Sequence, residues 1–280
     1  MRSTRWTALA LALASAGTAA AHLGTPFSDA AGDLARAPAI AVVRAVAETR
    51  MEAEGALTEV ERIATLAGET PPRLRMRQPG PHLHRLARGE VVVAPLSPLP
   101  DQPGLFLYGL QAQTPLAAAD EPVEGLRAAV RAWRSLPQPT PPGVRQALAV
   151  AQAAVPSPLA RRLALEQLLL EPATLGRALD PTAFEALVAA IRAERLPAAY
   201  RQGLMRVLEL AGASPALVSL CRASANLSPP SVRAAAYESL ASRGGPCLEA
   251  ELDRCARNPT DPLRAKCLAL GGRPVPAGAP

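Results

Sequence analysis

Residues 228–255 read SPPSVRAAAYESLASRGGPCLEAELDRC, and this stretch predicts a pair of helices. A proline precedes an alanine-rich segment with apolar residues at helical spacing, two glycines interrupt that segment, and another proline opens a second apolar segment. Proline fits the first turn of a helix, where its missing N–H costs nothing, and it stops the preceding helix from continuing. The stretch therefore predicts two short helices joined by a glycine turn.

The pattern returns at a nearly constant interval. Arg201, Arg233 and Arg264 each follow a small or apolar pair (Ala-Tyr, Ser-Val and Pro-Leu), and they are 32 and 31 residues apart. An apolar helix follows each arginine. One helix pair cannot bury its apolar face alone, so a period near 31 predicts an α-solenoid of stacked pairs.

The quoted stretch resembles a HEAT-type repeat in its proline, its Val-Arg pair and its alanine-rich first helix. The resemblance is good over residues 196–272 and looser from 122 to 195. It implies that Arg201, Arg233 and Arg264 are structural residues, each pairing with an acid of a neighbouring repeat.

Helical spacing extends over residues 120–272, which we predict to be a helical repeat domain, with a disordered tail at 273–280. Almost every segment has proline at or near its first turn. The predicted helices are Pro122–Leu136, Gly143–Ala154, Pro158–Leu170, Pro181–Glu194, Ala198–Ala211, Pro215–Ala225, Pro230–Arg243, Pro246–Arg257 and Pro262–Leu270.

Residues 38–116 carry a different pattern, with short apolar runs broken by proline and glycine. They predict a small antiparallel β-barrel or curled sheet and, with the helices, an α+β fold. The first two runs also fit helices. The runs are Ile40–Glu48, Leu57–Leu66, Arg73–Arg77, Gly89–Leu96 and Leu105–Leu110.

Two segments of this region resemble a small OB-like β-domain of exported bacterial proteins. They are VERIATLAGETPPRLRMRQPG, residues 60–80, and LARGEVVVAPLSP, residues 86–98. In the OB-like domain, as in these two segments, a strand ends at a glycine turn and a later Gly-Glu opens an apolar strand. The resemblance covers about 60 residues and implies a fold, not a ligand.

The N-terminal residues 1–21 have the three parts of a cleavable signal peptide. Arg2 and Arg5 form a positive start, 11 apolar or small residues follow, and Ala19 and Ala21 fit the small-residue cleavage site. We therefore expect a periplasmic or secreted protein that begins at His22. A lead-in segment at 22–37 follows, and no stable membrane span is expected in the mature form.

Four cysteines occur, all in the last quarter of the chain. Clustered cysteines of an exported protein are expected to form disulfides, with a zinc site or free thiols as the alternatives. From the positions of the predicted helices we favour the pairs Cys221–Cys255 and Cys247–Cys267 over the other two connectivities.

The charge pattern does not predict nucleic-acid binding. The net charge is +6, aromatic residues make up 3% of the chain, and arginines alternate with acids rather than cluster. A nucleic-acid surface combines a basic face with stacking aromatics. We therefore expect no nucleic-acid partner and no cofactor.

Three histidines offer the one alternative chemistry. Cleavage after Ala21 gives His22 a free amine beside its imidazole, and His82 or His84 would add a further ligand for copper or zinc. A solvated His-x-His turn is the simpler interpretation of the other two. No G-x-S-x-G, P-loop or dinucleotide-binding motif occurs.

The sequence thus predicts an exported, non-enzymatic interaction protein that binds a protein or peptide of the cell envelope on its helical repeats. One alternative is a metal-handling protein or envelope enzyme that uses His22, His82 and His84. A purely structural envelope component is the other.

Export is tested by N-terminal sequencing of the protein recovered from outside the cytoplasm. We expect the first residue to be His22, because signal peptidase requires small side chains such as Ala19 and Ala21. An Ala21→Arg variant should accumulate uncut. Recovery of the intact chain beginning at Met1 would contradict the prediction.

Overall fold

The computed structural model describes residues 29–78, 84–110, 114–118, 120–170, 172, 175, 181–212, 214–243 and 247–274. The predicted signal peptide, its cleavage site and His22 lie outside these residues. The described chain is a β-barrel followed by stacked helices, so the predicted fold class is confirmed.

Five strands close into the barrel in the order β1-β3-β4-β6-β5, and β5 pairs back onto β1. Neighbours are antiparallel except β4 and β6, which are parallel. All five predicted runs are strands, including the two that also fit helices. The strands are β1 (Ala39–Ala45), β2 (Arg50–Glu52), β3 (Gly55–Ala67), β4 (Arg73–Gln78), β5 (Val91–Pro98), β6 (Leu105–Tyr108) and β7 (Leu116–Ala117). The short strands β2 and β7 add to β3 and β5.

Alternation of side chains fixes which face of β4 lines the barrel. Leu74, Met76 and Gln78 are buried, whereas Arg73 and Arg75 are exposed. Successive side chains of a strand point to opposite faces, so the apolar set lines the interior. The structure therefore confirms a strand at the predicted run Arg73–Arg77 and shows which of its faces is buried.

One helix of the barrel half was not predicted. Helix α1 (Ala30–Arg36) lies in the segment taken as a lead-in, and the Asp29 side chain caps it by accepting the Gly32 N–H at 2.8 Å. Buried Ala30, Ala31 and Leu34 attach α1 to the core. At seven residues, α1 is too short for its helical periodicity to stand out in the sequence.

All nine predicted helices occur among the described residues, with ends that differ by at most a few positions. They are α2 (Val123–Arg134), α3 (Pro142–Gln152), α4 (Pro158–Leu170), α5 (Pro181–Arg192), α6 (Ala198–Ala211), α7 (Ser214–Ser224), α8 (Pro230–Arg243), α9 (Leu248–Arg257) and α10 (Arg264–Ala269). Proline is the first residue of α3, α4, α5 and α8, as the helix-start rule predicts.

The helices stack in two layers. Helix α5 packs between α3 and α7 in one layer. We call it the second-helix layer because α7 is the second helix of a predicted repeat. Helix α6 packs between α4 and α8 in the other layer. Consecutive helices also contact each other, so each pair buries its apolar stripe against the next pair.

Arginines of the helical half hold the barrel in place. Arg134 donates to the Ala37 carbonyl at 2.6 Å, Arg162 donates to the Pro115 carbonyl at 2.6 Å, and Arg145 pairs with Asp29 at 3.3 Å. The buried apolar residues of both halves form one continuous cluster. The division into domains at 38–116 and 120–272 stays a prediction.

The structure corrects the predicted disulfide pairing. Cys221 pairs with Cys247 and Cys255 with Cys267, with Cα–Cα distances of 5.8 and 6.1 Å. Cys255 and Cys267 lie at similar distances from the turn between α9 and α10. Cys247 precedes α9 at the far end of a helix about 15 Å long, which α10, about 9 Å long, does not reach.

Paired alanine substitutions test this connectivity. C221A/C247A should leave no free thiol under denaturing, non-reducing conditions, whereas C221A/C255A, which removes one partner from each bridge, should leave two. C255A/C267A should lower the free energy of unfolding by about 3 kcal/mol, because it removes a cross-link over 12 residues. Thiol titration and urea unfolding measure both effects. Free thiols in C221A/C247A would contradict the pairing.

Candidate binding face of the helical repeats

The repeat arginine of α6 is buried at the junction of two pairs. Arg201, 1% exposed, donates from Nε to the Ile191 carbonyl at the end of α5, and from Nη1 to the Ser228 carbonyl before α8. Burial lowers the pKa of Arg201 from its usual value. One side chain therefore supplies donors to backbone carbonyls of both neighbouring repeats.

Each of the other two repeat arginines contacts only one neighbour. Arg233 contacts the segment that follows its pair, and Arg264 contacts the helix that precedes it. Arg233 of α8 pairs with Asp261, which precedes α10, at 2.5 Å. Arg264 of α10 donates to the Ala256 carbonyl near the end of α9 at 3.1 Å. Only Arg233 therefore meets an acid across repeats as the HEAT resemblance implies. The partners of Arg201 and Arg264 are carbonyl oxygens.

A cleft of about 420 Å³ opens between α5 and α7, and we call it the α5–α7 cleft. Its floor includes Val188 and Ala223, which are nearly buried. Polar side chains surround this floor. The lining residues are Glu185, Val188, Arg192, Ser219, Arg222, Ala223 and Asn226.

The two arginines of this cleft are free of intramolecular acids among the described residues. Arg192 and Arg222 are exposed, and no ion pair joins either to a described carboxylate. The one carboxylate of the cleft, Glu185, accepts a hydrogen bond from Ser219 Oγ. The cleft therefore combines two guanidinium groups that lack an ion-pair partner among the described residues, one carboxylate held by a hydroxyl, and two buried apolar side chains.

A second cleft, of about 510 Å³, lies along α9 beside the C-terminal segment. Acidic and basic side chains that line this second cleft form ion pairs with one another. Arg273 pairs with Glu249 at 2.9 Å and with Asp253 at 3.0 Å, and Arg257 pairs with Asp253 at 3.4 Å. This network fastens the C-terminal segment to α9, so the second cleft offers fewer open contacts than the first.

The pKa of Asp253 is held below its usual value. The largest cause is the backbone N–H of Arg273, which donates to its carboxylate at 2.7 Å, and the Arg273 side chain adds to the effect. A lowered pKa in the folded state means that ionised Asp253 stabilises the fold.

The copper alternative has one of its three residues in the described structure. His84 is buried, and its ring meets the edge of Tyr108 with centroids 5.8 Å apart. The backbone of His84 is clamped by the Gln78 side chain, with bonds of 2.7 and 2.9 Å. His22 and His82 lie outside the described residues, and within those residues no group of three metal-ligating side chains comes together.

The sequence contains a signal for the cleft arginines that the repeat analysis missed. Arg192, Arg222 and Arg254 are 30 and 32 residues apart, close to the repeat period, and lie near the ends of α5, α7 and α9. We call these three residues the arginine ladder. The series Arg201, Arg233 and Arg264 lies on the first helix of each predicted pair, whereas Arg222 and Arg254 lie on the second helices, where no motif of the first series marks them.

No described helix is long and apolar enough to cross a bilayer. Comparisons with protein families, curated proteins and solved structures give no match for this chain.

Acid titration tests the Asp253 network. Its stabilisation is present above the carboxyl's ordinary pKa of 3.8 and is lost as the pH falls through the lower folded-state pKa. D253N should therefore be less stable than the wild type at neutral pH, and the difference should shrink between about pH 4 and pH 2. Urea unfolding across pH measures this. D101N, at an exposed loop position, is the matched control and should follow the wild type. A pH-independent deficit in D253N would contradict the prediction.

Proposed function

We propose that this protein is an exported, non-enzymatic interaction protein that binds a protein or peptide of the cell envelope along its second-helix layer. The observation that carries this proposal is the α5–α7 cleft, where exposed Arg192 and Arg222 lack an ion-pair partner among the described residues. Elsewhere in the described chain, several arginines are used to hold the fold together.

The two-layer packing supports the interpretation of the helices as HEAT-like repeats. Arg201 contacts Ser228, 27 residues further along the chain, and Arg233 contacts Asp261, 28 residues further along. The two arginines therefore reach the next pair at nearly the same sequence separation. Solenoids present extended surfaces on one layer, and partners bind along them. The five-stranded barrel, with one parallel pair, likewise supports an OB-like interpretation of residues 38–116.

A periplasmic or secreted location is part of the proposal. The two cysteine pairs at disulfide distance fit an oxidising compartment, and the features of residues 1–21 fit export.

Site-specific photo-crosslinking in the envelope of the producing cell tests the proposal. A photoreactive residue at Asn226, on the rim of the cleft, should give a discrete adduct with a partner protein. The same residue at Arg88, an exposed position of the barrel half, is the control and should not. The proposal fails when Asn226 gives no adduct, or when both positions give the same products.

A further inference from the structure

The arginine ladder carries an inference about what the α5–α7 cleft binds. Two of its members, Arg192 and Arg222, line this cleft, and the third, Arg254, lines the neighbouring cleft on α9. The Cys221–Cys247 disulfide joins the residue before Arg222 to the start of α9. The disulfide therefore restrains α7, which carries Arg222, against α9, which carries Arg254.

Guanidinium groups in this arrangement favour carboxylates. The arginine fork matches a carboxylate in two parallel hydrogen bonds, and exposed guanidinium groups need little desolvation to form them. Arg192 and Arg222 have no described carboxylate to exchange for an incoming one. Asn226 adds an amide to the same cleft.

The side chains that line the cleft favour a peptide over a nucleic acid. Val188 and Ala223 offer a small apolar surface, and none of the lining residues is aromatic. Single-stranded nucleic acids gain much of their affinity by stacking bases on aromatic rings. An extended peptide can place small side chains on the floor and acidic side chains towards the arginines.

We propose that the α5–α7 cleft binds an acidic, extended peptide segment, with Arg192 and Arg222 each holding one of its carboxylates. This inference rests on the proposed function and names the chemistry of the partner. Arg254 pairs with Glu251 at 2.6 Å and lies outside this cleft, so it takes no part in the proposed contacts.

Fluorescence anisotropy with two synthetic peptides tests this. One is a fluorescein-labelled peptide of alternating Glu and Ala, and the other has Gln in place of every Glu. The mature protein should bind the Glu peptide in preference to the Gln peptide. R192Q/R222Q should weaken binding about tenfold or more, corresponding to about 1.4 kcal/mol. Added salt should also weaken it, because these charges are exposed.

The matched control is R85Q/R88Q, which removes the same charge from two exposed arginines of the barrel half. It should bind the Glu peptide like the wild type. Thermal melting checks the fold of both variants. Equal weakening in both variants, or equal binding of the Gln and Glu peptides, would overturn the inference. So would oligothymidylate binding as tight as that of the Glu peptide and lost in R192Q/R222Q, because it would make the cleft a general polyanion site.

The peptide-binding and crosslinking experiments together distinguish a failure of this inference from a failure of the proposed function. If the Glu peptide does not bind but Asn226 still crosslinks a partner, the acidic-segment inference is wrong and the interaction function stands. If neither occurs, both are wrong.

Discussion

The structure depends on supplying hydrogen-bond donors to backbone carbonyls at the ends of many short elements. Every helix leaves its last four carbonyls without an internal partner, and a chain of short helices multiplies this number. The protein meets part of the requirement with arginine side chains. Arg201 donates to a carbonyl at the end of α5 and to the Ser228 carbonyl before α8, and Arg264 donates to a carbonyl near the end of α9. Arg134 and Arg162 donate to carbonyls after α1 and before β7, at the junction with the barrel. The side chains that satisfy the ends are thus also those that join neighbouring units.

Local structure was predictable from the sequence because proline and glycine mark nearly every boundary. Pro158 and Pro230 begin helices α4 and α8 at the predicted positions, and β4 includes the whole predicted run Arg73–Arg77. The sequence predicted a barrel or a curled sheet without deciding between them, because the closing pair, β5 with β1, joins residues about 50 positions apart with no local signal. The disulfide error has a related origin. The prediction took successive second helices to stack side by side with the same ends together, whereas Cys221, near the end of α7, pairs with Cys247 at the start of α9.

The candidate site was hidden by composition. All but one of the 30 basic residues are arginine, so charge alone does not separate structural arginines from binding ones. The burial of each guanidinium group and the groups that it contacts separate the two kinds of arginine. Arg201 is buried against carbonyl oxygens and Arg233 lies against Asp261, whereas Arg192 and Arg222 face solvent. The repeat period places one series of arginines on each layer of helices. Packing decides which of the two series stabilises the fold and which stays accessible to a partner.

The two disulfides join cysteines that are neighbours in the sequence: the first pairs with the second, and the third pairs with the fourth. A chain that emerges N-terminus first into an oxidising compartment exposes its cysteines in that order. An oxidase that couples each new thiol to the one just before it would then form the native bonds directly, without passing through a wrong pair that has to be exchanged. The connectivity is therefore one that oxidation in the order of emergence would form without exchange of a wrong pair.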